Sequence, residues 1–244
     1  MEVKEFETMY RVEDLHWWYV GLREILSAAW REYVPARPDL RLLDVGCGTG
    51  ANLRHFAPHA AAAGIDFTIE ALRWCRKRGL SQLAAASAID LPFGAGSFDV
   101  AISCNMLGHI NVPGEVPPLR EIYRALRPGG VFLLNVAAYQ WLCSSHDAAV
   151  HNTRRYTRAQ TVQFVEAASF DVLHATYWNT ALLPPAICVR LWRKFFSPGA
   201  SDLADEPGAF ENRVCGLALA VERQMLRWST LPAGLSIFVV ARKP

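Results

Sequence analysis

Three glycines, Gly46, Gly48 and Gly50, directly follow a short apolar run that ends at Val45 and precede a segment of helical character. A strand that must turn at once into a helix, with a ligand close to its backbone, needs residues without a Cβ at such positions. The run Asp44-Val45-Gly46-Cys47-Gly48-Thr49-Gly50 therefore predicts a strand–turn–helix unit offering space and free N–H groups to a nucleotide-like ligand. Such a unit belongs at the carboxyl end of a parallel sheet, so the loop constrains the whole chain toward an α/β fold.

The rest of the sequence supplies the alternation that a parallel sheet requires. Strands are predicted at Arg41 to Asp44, Ala62 to Asp66, Gln82 to Ala86, Phe98 to Ser103 and Val131 to Ala137, with helices that include Ile69 to Arg78 and Leu119 to Leu126. Further strands at Asp171 to Trp178 and Leu235 to Ala241 complete a seven-stranded sheet. Ahead of it the opening thirty residues read as helical, with Trp17, Trp18, Leu22, Ile25, Leu26 and Trp30 on an apolar face that ends before Pro35 and Pro38. Before the last strand, Pro185 to Phe196 reads as an amphipathic helix with Arg190, Arg193 and Lys194 opposite its apolar side. A linker, Ser197 to Gly208, leads to a second helix in which Phe210, Val214, Leu217, Val221, Met225 and Trp228 recur at three-or-four spacing. The expected organisation is one domain over 1–244: a helical extension or lid (1–38), a core (39–180 and 230–244) and a helical insertion (181–229).

Charge and cysteine usage narrow the function. A formal net charge of +2 over 244 residues gives no field suited to nucleic acid. Six scattered cysteines without a C-x-x-C pair, and no histidine at ligand spacing, predict no metal site and a reduced, cytoplasmic setting. The acidic N-terminus does not resemble a secretory signal, and the greasiest stretch, Ala181 to Trp192, is interrupted by Pro184 and Pro185, so no membrane span is expected. Peripheral membrane contact or a homodimer through 185–228 remains open.

The glycine spacing alone, Gly46, Gly48 and Ala51, serves a dinucleotide as well as an adenosyl cofactor. Asp66, twenty residues beyond Gly46, can accept both hydroxyl protons of an adenosine ribose in either case. Three further motifs accompany the loop in order: Asp44 ahead of the first glycine, Asp90-Leu91-Pro92-Phe93 followed by Ser97-Phe98-Asp99, and Leu126-Arg127-Pro128-Gly129-Gly130. Together, from Leu40 to Ala137, they resemble the class I S-adenosylmethionine-dependent methyltransferases, and the opening His16-Trp17-Trp18-Tyr19 resembles a bacterial subgroup of them.

The resemblance implies a Rossmann-like three-layer sandwich with a mostly parallel seven-stranded sheet, its last strand antiparallel, plus the N-terminal helix and the insertion. It implies S-adenosyl-L-methionine as cofactor and S-adenosyl-L-homocysteine as product. Gly46, Cys47 and Gly48 would face the methionine part and Asp44 its ammonium. Asp66 would take the ribose, Phe67 would lie against the adenine, and Asn105 and Met106 would border the sulfonium. Many relatives carry an aspartate for the adenine amino group where Ser87 stands here, so Ser87, with Ala88 and Ile89 through their backbone, is expected in that role.

Methyl transfer is an in-line displacement that positioning and water exclusion can catalyse, and aromatic walls suit a cationic donor. Trp17, Trp18 and Tyr19 are thus candidates for a lid over the cofactor, or alternatively for an apolar helix packed on the domain. Within the segment Trp141 to Tyr156, His146 or His151 could take a proton from the acceptor, while Trp141, Arg154, Arg155 and Tyr156 could hold it. His109, at the end of strand four, lies near the expected transfer point. Thr157 and Gln160 form a candidate capping box that would make the arginines a helix flank. The function expected is methyl transfer to a small-molecule or lipid-linked acceptor, at oxygen. The alternatives are a non-catalytic cofactor-binding subunit and an NAD-dependent oxidoreductase.

Overall fold

The structure, a computed structural model, describes residues 3–143, 145–188, 208–226 and 229–244. Two helices, α1 (Val3–Val12) and α2 (Trp17–Tyr33), precede β1 (Arg41–Val45), α3 (Ala51–Phe56), β2 (Ala61–Asp66), α4 (Ile69–Lys77) and β3 (Leu83–Ala85). The chain continues through β4 (Phe98–Cys104), α5 (Val116–Ala125), β5 (Leu126–Ala137), a short α6 (Ser145–Ala149), α7 (Arg158–Ala167), β6 (Asp171–Trp178), α8 (Ala209–Leu226) and β7 (Ser236–Arg242).

The seven strands form one sheet in the order β3-β2-β1-β4-β5-β7-β6, in which β7 runs antiparallel to both neighbours and the other pairings are parallel. Strand order reverses between β1 and β4, where Leu42, Leu43 and Asp44 pair with Val100, Ala101 and Ile102. Open α/β sheets bind ligands at such a switch point, outside the carboxyl ends of the strands. Val100, Ala101, Ile102, Leu133 and Val240 are fully buried, because helices cover both faces of the sheet.

Several local expectations are corrected. The opening helix is two helices, broken at Glu13 to His16: His16 caps α2, its Nδ1 accepting the Trp18 N–H at 3.1 Å. Strand β5 starts at Leu126, not Val131, so the Arg127-Pro128-Gly129-Gly130 turn lies inside it. A register shift between Phe98 and Val100 accommodates that turn, with Gly129 at a φ of 77° that only glycine takes easily. Of the amphipathic helix expected over Pro185 to Phe196, residues 183–188 are helical. Its remainder, most of the linker Ser197 to Gly208, and Trp228 lie outside the described residues.

In α8 the apolar repeat faces outward, with Phe210 82% and Val221 63% exposed. Helix α8 packs on α2 through Leu219, next to Gly21, where a Cβ would collide with that leucine. Among the described residues no helix is long and apolar enough to cross a membrane.

Candidate active site

The glycine loop is tied to the end of β2. Gly46 and Cys47 both donate their N–H to Ile65 O at 2.9 Å, and Gly48 donates to Asp66 Oδ2 at 3.0 Å. These N–H groups are therefore engaged by β2, and the loop's offering to a ligand is space. A Cβ on Gly46 would stand 2.9 Å from Met106 Cβ, and one on Gly48 would stand 3.0 Å from Met9 Cε; both glycines have positive φ.

Asp44, at the floor of this turn, is 1% exposed, and neither carboxylate oxygen has a hydrogen-bond partner. Burial, then the charges of Asp66 and Glu13, push its pKa up to about 7. A buried carboxylate with nothing to pair is costly, and a cation delivered to this point removes the cost. The donor set thus fits the α-ammonium of an amino-acid ligand. Asp66 is also raised by burial, although its oxygens accept the N–H groups of Thr68 and Gly48. Beside it Phe67 is 65% exposed, free to lie against a flat ring. Ser87 Oγ accepts the Ile89 N–H at 3.4 Å and Ser87 bridges to Asp90, so the segment carrying Ser87, Ala88 and Ile89 forms a tight turn at this end.

The N-terminal extension roofs the loop from the other side. Besides Met9 over Gly48, Tyr10 packs on the Trp74 ring (4.7 Å between centroids) and under the Arg78 guanidinium. Arg78, whose side chain is 2% exposed, donates to Thr49 O and Tyr10 O and pairs with Glu13 and Asp14, while Thr49 Oγ1 donates to Glu13. Burial lifts Glu13 above its ordinary value even against Thr49 and Arg78. Burial alone would lower Arg78, but Glu13 and Asp14 raise it. Met9, Tyr10 and Arg78 escaped the sequence reading because their spacing is ordinary helix spacing.

The His16-Trp17-Trp18-Tyr19 cluster divides its side chains. Trp18 stacks on Trp178 (5.9 Å), and Trp17 lines a cavity of about 320 Å³ between α2 and α8, its N–H donating to Asn212. Those two tryptophans pack α2 against the rest of the fold. Tyr19 packs edge-on against His16 and Trp18, and burial, then Glu13 and Glu5, raise its hydroxyl pKa.

After β4 the chain meets the segment after β5. Asn105, exposed and at φ 59°, follows the last residue of β4, and Met106 packs toward Gly46. Residues 147–156 are stitched onto residues 107–115: Ile110 donates to His151 O, Thr153 to Gly108 O, and Arg154 Nη2 to the carbonyls of Leu107, His109 and Val112. Tyr156 donates its hydroxyl to Leu107 O and approaches Glu115, which also pairs with Arg154. Arg155 and Asp147 form a bidentate pair at 2.9 Å with both side chains buried. The guanidinium groups expected to clamp an acceptor are therefore largely spent within the protein. The Thr157–Gln160 capping box is present at the start of α7.

This stitching brings His109 and His151 together, 5.8 Å between ring centroids. Burial, and the His151 charge, push the His109 pKa down to about 4. Its Nδ1 accepts the Asn111 N–H at 3.2 Å, so in the neutral ring Nε2 carries the proton. The side chain of His146 lies outside the described residues, and Trp141, 64% exposed, flanks the segment by stacking on Tyr139. Among the described residues no group of three or more His, Cys, Asp or Glu could hold a metal ion.

Residues 43–134 match the family model described as a methyltransferase domain. The chain is 30% identical over 141 residues to 24-methylenesterol C-methyltransferase 2 of Oryza sativa subsp. japonica (51% of this chain, 37% of that one). It is 33% identical over 135 residues to demethylmenaquinone methyltransferase of Symbiobacterium thermophilum (47% and 53%). It thus spans only a third to a half of these relatives' lengths. Among solved structures, the complex of the Haloferax volcanii Trm112 methyltransferase activator with a methyltransferase shares the fold at a TM-score of 0.63, with 21% identity over 99% of this chain and 94% of that one. An N-methyltransferase of Haemonchus contortus, in complex with phosphomonomethylethanolamine and S-adenosylhomocysteine, matches at a TM-score of 0.56, with 20% identity over 89% and 52%. The buried unpaired Asp44 and the glycine cradle lie at the start of the stretch, 43–134, that matches the methyltransferase-domain model, and the fold is the one these solved methyltransferases share.

Proposed function

We propose that this chain transfers the cofactor methyl group to an oxygen of a small-molecule or lipid-linked acceptor, with His151 as the proton acceptor. The supporting observation is the meeting of His109 and His151, where the segment after β5 is hydrogen-bonded to the segment after β4. His109 has its Nδ1 taken by the Asn111 N–H, and burial depresses its pKa to about 4, which disfavours it as a proton acceptor near neutral pH. In this reading the neighbouring His151 takes the proton as the nucleophile attacks.

In this reading Asp44 holds the cofactor's ammonium, Asp66 its ribose hydroxyls and Phe67 one face of its adenine, with Ser87, Ala88 and Ile89 at the adenine edge. Gly46, Cys47, Gly48, Asn105 and Met106 line the methionine and sulfonium end. When bound, the cofactor supplies an electrophilic methyl on a cationic sulfur. The protein supplies alignment, exclusion of water under the α1 roof, and a place for the proton. The acceptor enters over the exposed Trp141, while Arg154, Arg155 and Tyr156 shape the wall it meets.

The experiment is transfer of labelled methyl from S-adenosylmethionine into a cell extract, with identification of the product. His151→Ala is expected to lower the initial rate by roughly 100-fold or more, within the range of general-base catalysis, while affinity for S-adenosylhomocysteine holds. Unchanged turnover in both His151→Ala and His109→Ala would sink the assignment of the base.

A further inference from the structure

Trp178, Asn135 and Asn105, on β6, on β5 and just after β4, form one hydrogen-bonded row from the core to the cofactor end of the sheet. The indole N–H of the fully buried Trp178 donates to Asn135 Oδ1 at 2.7 Å. An indole nitrogen can only donate, so this contact fixes which end of the Asn135 amide is oxygen. The other end, its NH2, donates to Asn105 Oδ1 at 3.1 Å, and the Asn105 backbone N–H donates to Asn135 O at 2.8 Å. Reversing Asn135 would set N–H against N–H at the indole and oxygen against oxygen at Asn105, leaving buried polar groups unpaired.

The row therefore dictates the last amide as well: Asn105 keeps its oxygen inward and turns its NH2 outward. Asn105 is exposed, and among the described residues its Nδ2 has no protein acceptor. Its φ of 59° is a left-handed conformation that costs energy in a non-glycine residue and persists where the surroundings impose it. The adjoining Met106 packs against the Gly46 turn, so Asn105 stands at the same end of the sheet as the glycine loop.

We propose that Asn105 offers this N–H to the methyl-accepting substrate, and that the substrate meets it with an oxygen lone pair of a hydroxyl or carboxylate. An ammonium has no lone pair to accept this N–H, and a neutral amine needs its single lone pair for attack on the methyl, whereas an oxygen has a second lone pair to spare. Asn135 and Trp178 are positioning residues that set the polarity of Asn105 from the far side of the sheet. This inference rests on the methyl-transfer reading above for its substrate class, and on the hydrogen-bonded row alone for its polarity.

Two measurements test it. In side-chain amide spectra of the protein with S-adenosylhomocysteine bound, the Asn135 NH2 is expected to exchange with solvent roughly tenfold or more slowly than that of Asn105. Trp178→Phe, which keeps a ring against Trp18 but removes the donor, is expected to abolish that protection; slower exchange at Asn105 than at Asn135 in the unsubstituted protein overturns the polarity. In the labelled-methyl assay with S-adenosylmethionine saturating, Asn105→Asp and Asn105→Ala are expected to lower the initial rate by roughly 10- to 100-fold. Equal rates overturn the role of Asn105, and label on nitrogen or carbon overturns the substrate class. If the unsubstituted protein moves no label while the exchange pattern holds, the methyl-transfer reading and the substrate class with it fall, and the polarity of the row stands.

Discussion

Thr49 in the glycine loop donates its hydroxyl to Glu13 in the turn between α1 and α2, which ties the N-terminal extension to the glycine turn itself. Arg78 closes the arrangement by reaching Thr49 O, Tyr10 O, Glu13 and Asp14 at once. Removing Arg78 strands a buried carboxylate, so Arg78→Ala is expected to cost about 3–5 kcal/mol in denaturant unfolding. The double variant with Glu13→Ala should recover part of that loss, because the stranded charge is gone. A cost below about 1 kcal/mol for Arg78→Ala would mean that the extension is not held there.

Asp44 gives the fold a pH signature. Its carboxyl titrates near 7 in the folded state and near 3.8 when exposed to water in the unfolded chain, so between those values the folded protein binds the extra proton. Stability of the cofactor-free protein from this group is therefore greatest at the acid end and falls as pH rises toward 7, by at most about 1.4 kcal/mol per pH unit. Binding of the ammonium requires the carboxylate, so affinity for S-adenosylhomocysteine should climb over the same interval and level off above about pH 7. Asp44→Asn should remove both slopes, raise the melting temperature of the free protein near neutral pH, and weaken binding by roughly tenfold or more.

Two glycines are predicted to respond with opposite sign. A Cβ on Gly108 would run into the Asn152 amide and the Arg154 carbonyl, the contacts that lay residues 147–156 onto the end of β4. Gly108→Ala should therefore destabilise by about 1–3 kcal/mol, as overpacking does. Gly216, within α8, has nothing within 4 Å of that position, and Gly216→Ala should stabilise by about 0.5–1 kcal/mol through helix propensity. Melting temperatures of the pair check both signs.

The Asp147–Arg155 pair holds the segment that carries His151. Asp147 also accepts from the Asn152 amide at 3.1 Å, and Arg155 reaches Ala138 O, so the pair joins the segment to the end of β5. Asp147→Ala is expected to cost about 3–5 kcal/mol by leaving a buried guanidinium unpaired. It should also let the His109 titration rise from about 4 toward 6.5, because the burial and the His151 charge that depress it depend on this segment. Nuclear magnetic resonance titration of the ring would show an unmoved midpoint if the segment stays in place without the pair.

The fold was legible where its cause is local. Strand alternation, the glycine turn and the Thr157–Gln160 box depend on residues a few positions apart, and β6 spans the stretch read from the sequence, Asp171–Trp178. The start of β5 was missed because a Pro-Gly-Gly run ordinarily ends pairing, and here a register shift beside Phe98 absorbs it. The outward apolar face of α8 was missed because helical periodicity reports a stripe without saying what covers it; the covered side belongs to Leu219 and Glu222.

At the site the same division holds. By itself the sequence determined the sheet and the glycine turn from Asp44 to Gly50, since a backbone that must turn this tightly restricts its residues strongly. Only the tertiary structure decided which charges are already spent: Arg155 on Asp147, Arg154 on three carbonyls and Arg78 on Glu13. It alone brought His109 to His151, and Trp178 through Asn135 to Asn105. A hydrogen bond is chosen by distance and direction in space, and residues 43 or 65 positions apart acquire both only when the sheet has formed.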